Sequence, residues 1–252
     1  MLAVTADPKK NRILKLPQTA GPLLILPVDS VTPETHEGLD LYLPDSGTPA
    51  PCVLLVHGLY PEQPEVSPRF SSFYPAYASH LARRGLVAAV VDHDLTRGFF
   101  YHEALATVGN AMEQLRARPE TDGDAVGMWF FSGGGPLSYP FLVDPQPWLR
   151  AVQLTYPALP GPDTPGWPTP EAAIAGIASV PTRLTLVENE IPDYVADQRN
   201  FVVLAADHGV PLDVHTVAGV GHGFDALADE PRTREVVARN LDWMAESLVR
   251  PR

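Results

Sequence analysis

From position 52 onward the chain alternates between two patterns. Short strand-like runs, unbroken and apolar in "CVLLVHG", "LVAAVVDHD" and "AVGMWFF" and partly polar in "LRAVQLTYP", "TRLTLVEN" and "PLDVHTVAG", are separated by longer stretches with helical spacing. An unbroken apolar run suits a strand buried on both faces of a parallel sheet. The intervening stretches read as helices. In "YHEALATVGNAMEQLRAR" the apolar residues Leu105, Val108, Met112 and Leu115 recur at three- and four-residue intervals. "FSSFYPAYASHLARRG" and "YVADQRNFVVLAADHG" both stop at a glycine, and "PRTREVVARNLDWMAESLVR" is amphipathic to the end. "PEAAIAGIASV" predicts a short helix. Ahead of this region "LLILPV" and "LDLYLP" read as two N-terminal strands within residues 1–44.

Strand–helix alternation of this kind predicts an α/β architecture: a mostly parallel sheet of about eight strands with helices on both faces. No change of composition divides residues 1–252, so a single domain is expected. Active sites of open parallel sheets lie beyond the carboxyl ends of the strands. The residues to inspect are those that follow the apolar runs: His57, Asp92, Ser132, Pro157, Glu190 and His222.

Ser132 stands in "FFSGGGPLS", directly after one such run. Serine becomes a useful nucleophile when a base takes its proton during attack. A sharp strand-to-helix turn would lift its hydroxyl above the sheet. That turn is recognised by the pattern G-x-S-x-G. Gly134 fills the rear position, while Phe130 stands where the front glycine belongs. The run has neither the lysine of a phosphate-binding P-loop nor the spacing of a dinucleotide fingerprint. Taken alone it fits a nucleophile turn or a merely tight turn equally well. His222 tips the balance. It lies in "VAGVGHGFDA", where Gly219, Gly221 and Gly223 leave an imidazole room to reach a serine on one side and a carboxylate on the other. The order, serine first and histidine last, also fits.

With "LLVHG", "FFSGGGPLS" and "GVGHGFD" in this order on this strand pattern, the chain resembles the α/β-hydrolase superfamily from about position 39 to its end, and within it the dienelactone-hydrolase-related esterases. The resemblance implies an α/β-hydrolase fold, with Ser132 as nucleophile and His222 as general base. It also implies an oxyanion hole from the backbone N–H groups of Gly133 and Leu59. Relatives carry an acid just after the seventh strand, about 32 residues before the histidine. Counting back from His222 reaches Glu190 in "LTLVENEIPDYV"; Asp193, Asn189 and Glu188 are the alternatives. His57 then shapes the oxyanion loop. The expected activity is cleavage of a small-molecule carboxylic ester or related acyl compound through an acyl-enzyme, with no cofactor and no metal. The other reading is a hydrolase-fold protein that binds a ligand with little or no turnover, which Phe130 and the irregular acid segment favour.

The remaining features bear on partners. The formal net charge of −12 argues against nucleic acid, since the basic residues are scattered and "KKNR" is too short for a patch. No run approaches the roughly 20 apolar residues of a membrane span, and the opening residues lack an apolar segment of signal length. The one cysteine, Cys52, sits in an apolar run and reads as a buried thiol in a reducing compartment, so a cytoplasmic protein is expected. Asp92, His93 and Asp94 lack the further ligands of a metal site and, with Arg97, are expected to brace a loop beside the cleft. Phe99, Phe100 and Tyr101 read as core before acyl-pocket wall. Trp167, in a Pro-rich insertion over 158–170, is a candidate cover for the cleft. The natural substrate and oligomeric state are not specified by the sequence, and a homodimer stays open.

Overall fold

A computed structural model describes residues 23–45, 47, 49–60, 63–160 and 166–249. The KKNR run, the start of the N-terminal region and the middle of the 158–170 insertion lie outside them. Eight strands form one sheet: β1 (Glu34–His36), β2 (Leu39–Tyr42), β3 (Ala50–Val56), β4 (Val87–Val91), β5 (Thr121–Phe131), β6 (Leu149–Thr155), β7 (Thr182–Asn189) and β8 (Asp213–Gly221). Their order is β1-β2-β4-β3-β5-β6-β7-β8. β1 to β2 and β2 to β4 pair antiparallel, and every other pairing is parallel.

Among the described residues, seven α-helices cover the two faces: α1 (Phe73–Ala82), α2 (Tyr101–Arg116), α3 (Tyr139–Val143), α4 (Pro170–Ile177), α5 (Pro192–Asp207), α6 (Phe224–Leu227) and α7 (Pro231–Val249). Strand residues alternate between two cores. Val126, Met128 and Phe130 of β5 face the core beneath α2, α3, α4 and α5. Trp129 and Phe131 face the one beneath α1 and α7. Within the second core the Trp129 indole N–H donates to Thr155 Oγ at 2.9 Å, so its one polar atom is satisfied where water cannot reach.

Two expectations need correction. "LLILPV" (23–28) is not a strand. Leu24 and Ile25 are buried against the α1/α7 core, but Pro27 has no N–H for a ladder, and the Ile25 N–H goes to Asp225 O at 2.9 Å. The first strand is instead the polar "ETH", paired with β2 across a turn at Gly38, where φ is +74°. Phe99 and Phe100 are exposed, 65% and 49%, and so are not core. Among the described residues no helix is long and apolar enough to cross a membrane.

Candidate active site

β5 ends at Phe131, and the chain turns at once into a 3-10 segment, Ser132–Ser138, that leads into α3. Ser132 takes φ +48°, a left-handed conformation costly for a residue with a Cβ. The three glycines after it are needed for close approach, because none has positive φ. A Cβ on Gly133 would lie 2.3 Å from Leu59 Cβ, one on Gly134 2.4 Å from His57 O, and one on Gly135 2.4 Å from Ala158 O. Gly133 and Gly134 therefore let the loop after β3 press against the serine turn, and Gly135 does the same for the loop after β6. Phe130 does not obstruct the turn, because strand alternation sends its ring into the opposite core, fully buried beside Phe141.

Ser132 Oγ lies 2.6 Å from His222 Nε2, and His222 Nδ1 lies 2.7 Å from Glu190 Oε1. Glu190 Oε1 also accepts the Ile191 N–H at 2.7 Å, and Oε2 accepts Gln198 Nε2–H at 3.1 Å. With acceptor oxygen facing it, Nδ1 carries the imidazole proton, and Nε2 is left as an acceptor toward the serine hydroxyl. The Glu190 side chain is only 2% exposed and His222 is 13% exposed, so this chain of hydrogen bonds is largely shielded from competing water. The other three candidates for the acid lie elsewhere. Glu188 and Asn189 are exposed at the end of β7, where Glu188 accepts the Gly219 N–H at 2.5 Å. Asp193 is exposed in the first turn of α5.

The two backbone N–H groups expected at an oxyanion hole are each aimed by a hydrogen bond at the far side of their own peptide. Ala158 N–H donates to Ser132 O at 2.9 Å, which holds the peptide carrying the Gly133 N–H. His57 Nδ1–H donates to Gly58 O at 2.7 Å, which holds the peptide carrying the Leu59 N–H. In a trans peptide the N–H points opposite the C=O, so fixing one fixes the other. Gly58 N–H is itself taken by Tyr74 OH at 3.2 Å.

His57 is fully buried and stacks on His93 at 3.5 Å. Burial pushes the His57 imidazole down to about 4 and His93 well below its ordinary value. Both rings are accordingly neutral, and the contacts match: His57 Nε2 accepts the His93 N–H, and His93 Nε2–H donates to His57 O. His57 is thus part of the scaffold of the strap over Ser132. Asp92 accepts from Ser67 Oγ–H and from Arg69 Nε at 3.1 Å, and Asp94 pairs with Arg97, so these side chains brace the loop after β4. Trp167 is half-buried. Its indole N–H donates to Pro136 O at 2.8 Å, and its ring packs on Tyr101 and His102, which fastens the insertion onto the serine turn.

Sequence reasoning passed over three neighbours and, for a fourth, Tyr101, weighed only core or acyl-pocket wall. Tyr101 OH donates to Gly133 O at 2.9 Å. Gln198 bridges Glu190 to Pro157 O, the latter at 2.9 Å. Tyr194 stands 5.6 Å and Tyr156 4.6 Å from the His222 ring, centroid to centroid. Tyr156 alone carried a usable signal, as the residue directly after a buried strand.

No family model matches the chain, and no curated protein matches it. Solved structures do match. Esterase 2 of Thermogutta terrifontis phosphoramylated by tabun aligns at TM-score 0.66 and 16% identity, over 92% of this chain and 97% of that one. A Pyrobaculum calidifontis esterase aligns at TM-score 0.64 and 17% identity, over 89% and 87%. Esterase Est22 aligns at TM-score 0.63 and 18% identity, over 82% and 76%. The chain has the α/β-hydrolase fold.

Proposed function

We propose that this protein is a serine hydrolase of the esterase type, cleaving a small carboxylic ester or related acyl substrate through an acyl-enzyme. The observation that carries this reading is the continuous chain Ser132–His222–Glu190, with links of 2.6 and 2.7 Å, on a strained turn at the end of a central strand. As Ser132 Oγ attacks the carbonyl carbon, its proton passes to His222 Nε2. Glu190 holds the Nδ1–H and stabilises the imidazolium. The Leu59 and Gly133 N–H groups receive the charge that develops on the carbonyl oxygen. His222 then protonates the departing alcohol. Water, deprotonated by His222, releases the acid from Ser132 by the same steps in reverse roles.

The fold shared with esterases supports this reading, and the Thermogutta enzyme, which has also been solved with propionate bound, favours a short acyl group. The resemblance of "LLVHG", "FFSGGGPLS" and "GVGHGFD" to the dienelactone-hydrolase-related esterases supports placing the activity in that branch. Ligand binding without turnover would have been favoured by a missing carboxylate at His222; Glu190 occupies that place. A fluorophosphonate probe should label the folded protein at Ser132 and leave Ser132→Ala unlabelled. Absence of labelling in the folded wild type would refute the proposal.

A further inference from the structure

Three residues beyond His222, Asp225 is completely buried in the first turn of α6. Its carboxylate accepts two phenol hydroxyls, Tyr156 OH at Oδ1 and Tyr77 OH at Oδ2, both at 2.7 Å. Tyr77 comes from α1. Tyr156 comes from the end of β6, where it takes φ +37°, a conformation that a bulky residue holds only when its surroundings compel it. Its N–H is fixed to Thr185 O at 2.7 Å, its hydroxyl to Asp225, and its ring lies 4.6 Å from the His222 imidazole. The short link through Gly223, φ +73°, brings Asp225 back beneath the histidine loop.

A charged carboxylate this deep is costly unless it is paired or hydrogen-bonded, and here two phenol hydroxyls hold it. Burial pushes the Asp225 carboxyl up to about 6, with the Tyr156 and Tyr77 hydroxyls and the nearby His222 drawing it back down. The triad chemistry proposed above makes no use of it. We infer that Asp225 is a positioning residue for His222: its carboxylate anchors Tyr156, whose ring backs the imidazole, and it places a second negative charge beside the imidazolium that forms in the reaction. The groups facing His222 are Ser132, Glu190, Tyr156 and Tyr194, and those facing Asp225 are Tyr77 and Tyr156, with Tyr74 near them. Asp225 is the only one of this second set that becomes anionic near neutrality.

The inference rests on the esterase reading for its catalytic meaning, so the test has one readout that needs no turnover. The protonation of His222 is followed by NMR of its ring in wild type, Asp225→Asn and Tyr77→Phe, each checked for folding by circular dichroism. In Asp225→Asn the midpoint moves to lower pH, the effect of removing the negative charge that Tyr156 links to the imidazole. In parallel, Tyr156→Phe lowers kcat for a p-nitrophenyl ester about tenfold with KM nearly unchanged, because it cuts the link but keeps the ring. Tyr77→Phe, which removes the other phenol hydrogen bond to Asp225 and leaves the Tyr156 link in place, keeps kcat within about twofold. An unmoved midpoint in folded Asp225→Asn overturns the inference, and so do equal losses of kcat in Tyr77→Phe and Tyr156→Phe. If the wild type neither labels nor turns over, the esterase reading fails while the titration still decides the coupling. If Asp225→Asn does not fold, the two tyrosine variants decide it.

Discussion

Replacing Glu190 by glutamine exchanges one oxygen for an amide nitrogen and leaves the shape intact, yet the hydrogen bonds around it cannot adjust. Three donors converge on the carboxylate: Ile191 N–H and His222 Nδ1–H at Oε1, and Gln198 Nε2–H at Oε2. A glutamine with its oxygen at the first position points its NH2 at that of Gln198. Gln198 cannot turn over to accept it without withdrawing its own NH2 from Pro157 O. With the oxygen at the second position, the new NH2 faces Ile191 N–H and His222 Nδ1. His222 must then move its proton to Nε2 and lose its acceptor for Ser132. In both arrangements a buried donor is unpaired, costing about 1–3 kcal/mol of stability. The imidazolium also loses its counter-charge, which lowers kcat by about 10³- to 10⁴-fold, or roughly 4–5.5 kcal/mol of barrier. The assay is kcat and KM for p-nitrophenyl acetate, alongside Glu188→Gln, Asn189→Asp and Asp193→Asn, which are expected to stay within about twofold of wild type. An Glu190→Gln enzyme that keeps more than about a tenth of wild-type kcat would refute the reasoning, as would a comparable loss in any of the three neighbours.

Three further outcomes follow from the same geometry. Gly133→Ala places a methyl group 2.3 Å from Leu59 Cβ and drives the oxyanion strap away; kcat should fall about 10²- to 10³-fold in steady-state assays with a smaller change in KM. Because burial depresses the His57 imidazole from 6.5 to about 4, the unfolded chain binds the proton first. The stability from keeping His57 neutral is complete above about pH 6.5 and is lost as pH falls through about 4, about 3 kcal/mol in all. Urea denaturation should therefore show His57→Asn losing less stability than wild type between pH 7 and 4; parallel losses would contradict this. Gly109→Ala, inside α2 with nothing within 4 Å of the added methyl, should stabilise by about 0.5–1 kcal/mol in thermal melts and leave activity unchanged.

Much of the fold was legible because each of its signals is local. The unbroken apolar runs in β3, β4 and β5 mark strands buried on both faces, "LRAVQLTYP" covers β6, and "TRLTLVEN" coincides with β7. The failures are equally physical. "LLILPV" has strand composition, but a proline removes a ladder donor and its burial is met by a loop packed on α1 and α7. "ETH" has no strand signal of its own and is a strand because β2 offers it a partner. Phe99 and Phe100 are apolar enough for a core, yet among the described residues both stay exposed.

At the site, residue types and chain order were enough to nominate Ser132 and His222. A serine after a buried strand and a histidine among glycines have local signatures. For the acid, spacing reached Glu190 first but left Glu188, Asn189 and Asp193 open, because the choice depends on where β7 ends and which way each side chain then points. Nor could sequence by itself show that Phe130 is harmless, that His57 aims a peptide rather than a proton, or that Asp225 reaches His222 through Tyr156. Those relations join residues at the ends of β3, β5, β6 and β7 to the loop after β8 and to α1 and α6, up to 148 positions apart in the case of Tyr77 and Asp225. Hydrophobic periodicity acts over one turn or one strand, so the sequence alone determined the elements and their type. Hydrogen-bond directions at the site are set only when the sheet brings distant strand ends within 3 Å, and so the tertiary structure decided them.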